Sequence, residues 1–357
     1  PWMYNSSLSS GPDPDNILKL TSIEQWGDIQ WESMQQMFNG AENMTYNASD
    51  TPDLQQVTDM RAMFRNAKLF NGDITGWDVS NITDMGFMFQ DTDNFNQDIS
   101  LWNTSNVTNM TNMFGNATAF NQSINTNVVN EGTADEYVAW DVSNVEWMDN
   151  MFDNASSFNQ PLNKWQLTSL SGMVEIFAGA SAFNQNINTN VVNEGTEDEY
   201  VAWDISHGPT IYGMFENASS FNQALNQWDV SQVDDLDYMF EGATAFNQDL
   251  SSWDVSNSAY FNNFLTGTAF SQENYDLLLL AWSQLDLVDG MTFNLDASYS
   301  CAASAARQSI VNDNNWTIND GGESTDCAPF VTTWAVTADD LSLYIPTGGD
   351  SVITDFD

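Results

Sequence analysis

The densest groups of metal-ligating side chains lie in two nearly identical segments, Asn125–Trp140 and Asn188–Trp203. The segments differ only at Ala134, which is Glu197 in the second copy. Their carboxylates are Glu131, Asp135, Glu136, Glu194, Glu197, Asp198 and Glu199. Such oxygen ligands suit Ca²⁺, but their spacing lacks the alternating Asp-x-Asp-x-Asp-Gly pattern of a calcium loop. We therefore favour a solvated acidic hairpin and keep calcium as the one candidate cofactor.

Nucleophilic catalysis has little support in this sequence. His207 is the only histidine, and it lies in the polar sequence Ser206-His207-Gly208. The cysteines Cys301 and Cys327 are predicted to form one disulfide of a C-terminal module in an oxidising compartment, with two unrelated buried thiols as the alternative. A Ser-His-Asp or Cys-His set is then not expected. We predict no enzyme and no catalytic or cofactor-binding residue.

A repeated pattern, Met-Phe-x-x-Ala-x-x-Phe-Asn-Gln, must position all of these residues. Its first Phe falls at Phe38, Phe64, Phe89, Phe114, Phe152, Phe177, Phe215, Phe240 and Phe264. The steps between them are 26, 25, 25, 38, 25, 38, 25 and 24 residues, and the two long steps contain the acidic segments. A period of this size predicts a solenoid, in which insertions emerge on one face, often the binding face.

Each turn of the predicted solenoid contains a short helix, a corner and a short strand. Val107, Met110, Met113 and Phe114 have the spacing of one helix face. Two residues after the Phe of seven repeats, an Asn, Asp or Gly indicates a left-handed corner that ends the helix. The alternation in Trp77–Val79 predicts the strand.

An asparagine follows the corner at the same place in successive turns. These residues are Asn71, Asn96, Asn121, Asn159, Asn184, Asn222 and Asn247. A bend buried between turns leaves backbone donors and acceptors that need partners. We therefore predict a structural ladder of side-chain amides at these seven positions.

The charge of the chain is extreme, because 50 acidic and six basic residues give a formal net charge of −44. Phosphate groups would be repelled, so we expect no nucleic-acid partner. No apolar run is long enough to span a membrane, so no membrane insertion is expected in this segment. Two interpretations of the acidity stay open. One is adaptation to a salty environment that screens self-repulsion, and the other is a surface that binds divalent cations.

The repeat resembles that of the BspA-like leucine-rich-repeat surface proteins, a family that includes the mycoplasma-type lipoprotein repeats. The segment Phe95–Phe114 reads Phe-Asn-Gln-Asp-Ile-Ser-x-Trp-x-x-Ser-Asn-Val-Thr-x-Met-x-x-Met-Phe, and nine units match in register. The chain after the repeats is similar to the cap that often closes such arrays. The resemblance implies secreted, cell-surface proteins involved in adhesion, and it supplies no catalytic motif.

These observations predict an α/β solenoid, a leucine-rich-repeat-like array of nine turns of 25 residues with a small C-terminal cap and a β tail. The predicted domains are residues 1–34 as an N-terminal segment, 35–270 as the repeats, 271–328 as the cap with its disulfide, and 329–357 as a β-rich tail or the start of a next module.

The predicted function is an extracellular module for adhesion to other proteins or surface glycans, through the solenoid surface and the two acidic expansions. The alternative is a structural subunit of an extracellular filament, sheath or appendage. That subunit would self-associate end to end through residues 329–357.

Overall fold

Each repeat forms a ribbon of consecutive tight turns at its Met-Phe motif. A computed structural model describes residues 17–324 of the chain. Residues 60–67 form the ribbon of the second repeat, and their hydrogen bonds are typical of the array. The amides of Met63, Arg65 and Ala67 donate to the carbonyl oxygens three residues earlier, at 2.9–3.3 Å. Ala62 and Asn66 have φ angles of 54° and 58°. A left-handed third residue in such a turn is the signature of type II.

The alternate amides of the ribbon bind the next repeat. Met60, Ala62, Phe64 and Asn66 donate to the carbonyl oxygens of Asp84, Gly86, Met88 and Gln90, at 2.8–2.9 Å. Arg61 donates to the side chain of Asp59, so every amide from residue 60 to 67 has an acceptor. The same pattern recurs in the following repeats, and each repeat donates in the direction of the C-terminus.

The predicted short helix and short strand in each turn are wrong. The structure contains no α-helix between residues 18 and 271, and the Trp77–Val79 segment is not a strand. A seven-residue helix would leave most of its terminal amides and carbonyls without partners. The ribbon pairs those groups with two neighbouring repeats instead, and its turns give the same three-residue apolar spacing as a helix. The predicted left-handed corners are confirmed, because Asn66, Asp91 and Gly179 and their equivalents have positive φ angles.

Two columns of phenylalanines form the core of the stack. In one column Phe114 lies 5.7 Å from Phe89 and 5.7 Å from Phe152, with nearly parallel rings. The second column runs through Phe120 and Phe158, 5.9 Å apart. The ribbon methionines are also buried. Each repeat therefore buries its apolar face against its neighbours, as repeat arrays do.

The strands are short and lie outside the ribbons. They are β1 (Ser22–Ile23), β2 (Thr45–Tyr46), β3 (Asn127–Val129), β4 (Tyr137–Ala139), β5 (Asn190–Val192), β6 (Tyr200–Ala202), β7 (Thr292–Asn294) and β8 (Thr317–Asn319). The pairs β1–β2 and β7–β8 are parallel, whereas β3–β4 and β5–β6 are antiparallel hairpins. Because β1 pairs with β2, residues 17–34 join the first repeat.

Two helices close the C-terminal end of the described residues. They are α1 (Gln272–Trp282) and α2 (Cys301–Asp313), capped by the side chains of Ser271 and Ser300. Trp282 and Phe293 pack against Phe264 of the last repeat. Aromatic rings therefore cover the final Phe of the column, which a terminal cap must do. The predicted tail, residues 329–357, lies outside the described residues.

Candidate functional site: the ribbon face and the hairpins

One face of the stack is formed by the outward side chains of the ribbons. In repeats five to eight this face carries carboxylates, which we call the acidic ribbon patch. The patch consists of Asp149, Asp153, Glu175, Glu216, Asp237 and Glu241. These side chains are half-buried, except that of Asp237, which is buried. The patch exists because each ribbon buries its Met and Phe residues and turns the residues between them outward.

Neutral donors hold the patch carboxylates across repeat boundaries. Asp149 accepts from the amide of Val174 at 2.8 Å, and Glu175 accepts from the side chain of Asn150 at 2.7 Å. Asp237 accepts from the amide of Asn262 at 2.5 Å. No Lys or Arg among residues 17–324 forms an ion pair with any of the six carboxylates. Their negative charge is therefore fixed in place without a neutralising partner.

This arrangement raises the pKa of several patch carboxyls. Burial, together with the neighbouring charges of Glu175 and Asp91, raises the pKa of Asp153 to about 6. Burial also raises the pKa of Glu216, and Glu175 adds to the effect. Raised carboxyl pKa values mean that the ionised form costs folding free energy. Groups held at such a cost are candidates for function.

Aromatic side chains lie on the ribbons of the patch and on the ninth ribbon, which follows it. Trp147 is 44 % exposed and Tyr260 is 53 % exposed. The rings of Tyr212 and Tyr238 lie 5.3 Å apart. Exposed Trp and Tyr are typical of protein-binding surfaces, and with carboxylates they attract cationic side chains.

The N-terminal end of the ribbon face has the opposite character. Arg61 and Arg65 lie over the ring of Phe87, with guanidinium carbons 5.0 and 5.6 Å from its centroid. These arginines occupy the ribbon positions that hold Asp149 and Asp153 in repeat five. At these two positions the residue type therefore changes from basic in repeat two to acidic in repeat five.

The two acidic expansions form the hairpins β3–β4 and β5–β6, with the same internal contacts in both. At the first tip, Gly132 donates its amide to Glu136 at 2.5 Å. The hydroxyl of Tyr137 donates to the carbonyl of Leu101, in the preceding repeat, at 2.7 Å. Tyr200 makes the equivalent bond to Lys164. Each hairpin is thus fixed to the repeat before it.

The seven calcium candidates lie at or near the exposed hairpin tips. All of them, Glu131, Asp135, Glu136, Glu194, Glu197, Asp198 and Glu199, have exposed side chains. Within residues 17–324 no three acidic, His or Cys side chains are grouped closely enough to hold a metal ion. Each hairpin also presents outward valines, Val128 and Val138 in the first and Val191 and Val201 in the second. Calcium binding stays a prediction.

The structure places the seven ladder asparagines in one column. The side-chain oxygen of Asn71 accepts from the amide of Asn96 at 3.0 Å, and that of Asn96 accepts from the amide of Asn121 at 2.9 Å. The same bond continues through Asn159, Asn184, Asn222 and Asn247. Asn247 then accepts from Ser271, immediately before α1. These residues join repeats, and none is positioned to contact a ligand in the patch.

The predicted disulfide falls partly outside the described residues, because Cys327 is not among them. Its partner Cys301 is the first residue of α2 and is exposed. Two residues earlier, the carbonyl of Tyr299 accepts from the amide of Ser324 at 2.8 Å. Cys327 follows Ser324 by three residues in the sequence, and three residues of chain can span the distance between the Cα atoms of a disulfide. Mass spectrometry of native material tests the bond.

Sequence reasoning missed the acidic ribbon patch. For five of its six residues the signal was available at two positions, the residue after the first buried apolar residue of the ribbon and the residue after its Phe. These positions hold Arg61 and Arg65 in repeat two, and Asp237 and Glu241 in repeat eight. Residues four apart share a face in a helix as well, so the missed signal is the change of charge at these positions from one repeat to the next.

The comparisons with known proteins identify a family. A family model described as "Mycoplasma protein of unknown function, DUF285" matches residues 32–139, 133–201 and 192–296. These tandem matches cover most of the chain, and the chain therefore belongs to this repeat-containing family. No curated protein and no solved structure matches the chain.

The helices of residues 17–324 include none that is both long and apolar enough to cross a membrane.

Proposed function

We propose that this chain is an extracellular, cell-surface module for adhesion and protein interaction, built as a repeat solenoid similar to those of the BspA-like leucine-rich-repeat surface proteins. One observation carries the proposal most strongly. The acidic ribbon patch presents carboxylates that no base of residues 17–324 neutralises, beside exposed Trp147 and Tyr260. A rigid, charged and aromatic face fits binding of another macromolecule better than chemistry on a small substrate.

The partner that this face fits is a protein segment rich in Lys and Arg. Such a segment would neutralise the raised-pKa carboxyls and place its cations over exposed aromatic rings. The exposed valines and tip carboxylates of the two hairpins offer a weaker second site, because solvent screens their charge. Nucleic acid and anionic membranes are disfavoured by the net charge of −44.

The experiment measures binding of a fluorescein-labelled ten-residue peptide of alternating Lys and Gly to the full chain. The test variant carries Asp153→Asn, Glu175→Gln and Glu216→Gln, and the matched control carries Glu194→Gln, Asp198→Asn and Glu199→Gln at a hairpin tip. We expect at least a tenfold loss of affinity in the test variant and less than a threefold loss in the control. Equal losses in both would show only general charge attraction and reject the ribbon face as the site.

Cell-surface location needs its own measurement. Antibodies against the full chain should label intact cells of the source organism, and protease treatment of those cells should remove the label. Labelling only after permeabilisation would reject the extracellular proposal, whatever the peptide binds.

A filament, sheath or appendage subunit is the second candidate. It is favoured by one observation: among residues 17–324, no amide donates to the carbonyl oxygens of Ser33, Gln35, Met37 and Asn39 in the first repeat. In that arrangement residues 329–357 of one copy would add to this edge of the next copy. The full chain should then polymerise, and truncation after Ala328 should leave a monomer in sedimentation experiments. A full chain that stays monomeric at all concentrations would reject this candidate.

A further inference from the structure

Two pairs of opposite charge occupy the same two ribbon positions in different repeats. Arg61 and Arg65 hold these positions in repeat two, and Asp149 and Asp153 hold them in repeat five. Equivalent ribbon positions lie at the same place across the stack, so the two arginines are separated from each other as the two aspartates are. The pairs are therefore matched in spacing and opposite in charge.

These charges do not neutralise each other within one chain. Neither arginine forms an ion pair with a carboxylate of residues 17–324, and both lie over the ring of Phe87. Successive rings of the phenylalanine column are 5.7–5.8 Å apart, and three such steps separate repeat two from repeat five. An ion pair requires a nitrogen and an oxygen within about 4 Å. Only a second molecule can bring the two pairs together.

We propose that two copies of this chain pair through their ribbon faces in antiparallel orientation, with Arg61 and Arg65 of each copy bound to Asp149 and Asp153 of the other. A two-fold axis that runs across the stack, between repeats three and four, produces both contacts at once. Such an interface is isologous, as in most dimers. The inference rests on the proposed function, because it uses the same face, but it names a second copy as the partner.

The charge complementarity extends to the other acids in the contact. In repeats one to six, the acids on the ribbons or immediately before them are Asp59, Asp84, Asp91, Asp149, Asp153 and Glu175. In the same order, the residues opposite them in the other copy are Trp147, Asn109, Asn116, Arg61, Arg65 and Gln36. No carboxylate in this set lies opposite another carboxylate.

A different register is disfavoured by charge. An axis at repeat five would place the arginines of repeat two opposite Asp237 and Glu241 of repeat eight. The same axis would place Asp149 and Asp153 opposite their own copies. Like charges that meet across an interface cost several kcal/mol. The axis between repeats three and four avoids this cost.

The middle of the proposed contact also fits in shape. Gly86 lies opposite Thr111 of the other copy, and Gln90 lies opposite Gly115, so each larger side chain meets a glycine. Successive rings of the phenylalanine column between Phe64 and Phe152 are within 6–8° of parallel. The ribbon face therefore turns little from one repeat to the next, and two such faces can stay in contact along the stack.

The net charge of −44 on each copy opposes the contact. Exposed charges repel over the Debye length, which is about 10 Å at 0.1 M salt and about 3 Å at 1 M. High salt removes most of this repulsion, whereas partly buried pairs at direct contact are screened much less. We therefore expect the two copies to pair at high ionic strength.

Sedimentation velocity of the full chain in 1 M NaCl tests the pairing, with a monomer–dimer equilibrium expected at about 0.1 mM protein. A basic-to-acidic variant carries Arg61→Asp and Arg65→Glu, and an acidic-to-basic variant carries Asp149→Arg and Asp153→Arg. Every change introduces a residue type that another repeat already has at that ribbon position. We expect the dimer dissociation constant to rise at least tenfold in each variant alone.

An equimolar mixture of the two variants is the decisive measurement. The new acids of one variant then lie opposite the new arginines of the other, and its original aspartates lie opposite the original arginines. We expect the mixed dimer to form with a dissociation constant within threefold of the parent. The matched control, Glu131→Arg and Asp135→Arg at a hairpin tip, changes the net charge as the acidic-to-basic variant does and should leave the dissociation constant within threefold.

Three results would overturn the pairing. They are a full chain that stays monomeric, a mixture of folded variants that does not dimerise, and a dimer that is lost on truncation after Ala328. If a double variant does not fold, the single change Arg61→Asp on an exposed side chain replaces it, and a loss of affinity below threefold would overturn the pairing.

The outcome is distinguishable from that of the proposed function. A full chain that stays monomeric but binds the Lys-Gly peptide supports the proposed function and overturns the pairing. A full chain that dimerises but does not bind the peptide, even when diluted to monomer, supports the pairing and rejects the ribbon face as a site for other basic segments.

Discussion

The hairpin tips and the acidic ribbon patch are both rich in carboxylates, but they differ in burial. Glu131, Asp135 and the other tip carboxylates are exposed, and no three of them converge. The patch carboxylates are half-buried or buried on the packed ribbons, and the pKa of Asp153 is raised to about 6. An ionised carboxylate therefore costs little folding free energy at the hairpin tips and more in the acidic ribbon patch.

This difference identifies the region where a binding function is best sought. Solvent screens the charge at the tips, so their acidity is explained by solubility alone. The patch acids oppose folding, and a partner that neutralises them would recover that free energy on binding. The acidic residues that stand out in the sequence are those of the hairpin tips. The acidic residues that cost folding free energy are those of the acidic ribbon patch.

The largest expected effect comes from the core beneath the patch. Phe152 is fully buried, with Phe114 at 5.7 Å and Phe177 at 5.6 Å. Phe152→Ala should destabilise the fold by about 3–5 kcal/mol, whereas Val128→Ala at a hairpin should cost less than about 0.5 kcal/mol. Urea unfolding of both variants measures the contrast. Similar losses would mean that the hairpins belong to the cooperative core.

Removing patch charge should stabilise the protein. The triple variant Asp153→Asn, Glu175→Gln and Glu216→Gln should gain roughly 1–2 kcal/mol at pH 7 and low salt, after allowance for solvent screening. The matched hairpin variant Glu131→Gln, Asp135→Asn and Glu136→Gln should stay within about 0.5 kcal/mol of the parent. Thermal unfolding with and without 1 M NaCl provides the measurement. A gain that is larger at the hairpin would reverse the comparison.

The single variant Asp153→Asn tests how the free energy of unfolding depends on pH. The folded pKa, about 6, lies above the ordinary value of 3.8, so the folded state binds the proton more tightly than the unfolded state. Stability from this carboxyl is therefore present below pH 3.8 and is lost as the pH rises through 6. The variant should exceed the parent by roughly 1 kcal/mol at pH 7, and the difference should vanish near pH 4. A constant difference across this range would exclude Asp153 as the titrating group.

The smallest effect is expected from calcium at the hairpin tips. Because no three carboxylates converge within the described residues, millimolar CaCl₂ should leave the melting temperature unchanged relative to NaCl of equal ionic strength. A rise that deletion of residues 126–138 reduces by about half would instead establish the hairpins as calcium sites, since the second copy remains. That result would place function at the tips as well as the patch.

The sequence alone determined the periodic features of this protein. The Met-Phe register predicted nine units, the Asn and Gly types predicted the left-handed corners, and the duplicated expansions predicted two equivalent hairpins. These features follow from residue identity at fixed spacing, because burial and positive φ each select residue types locally. The placement of Asn71 through Asn247 at one point of each turn has the same origin.

Only the tertiary structure decided where the backbone bonds go. The spacing of Met110, Met113 and Phe114 is compatible with both a helix and a ribbon of turns. The two structures differ in which carbonyl group each amide binds. That partner lies one repeat away, about 25 residues along the chain. The direction of those bonds fixes which side chains form the acidic ribbon patch. Among residues 17–324 it also leaves the carbonyls of Ser33, Gln35, Met37 and Asn39 without a donor, because no ribbon precedes them there. Local sequence patterns carry no information on which neighbour an amide will bind.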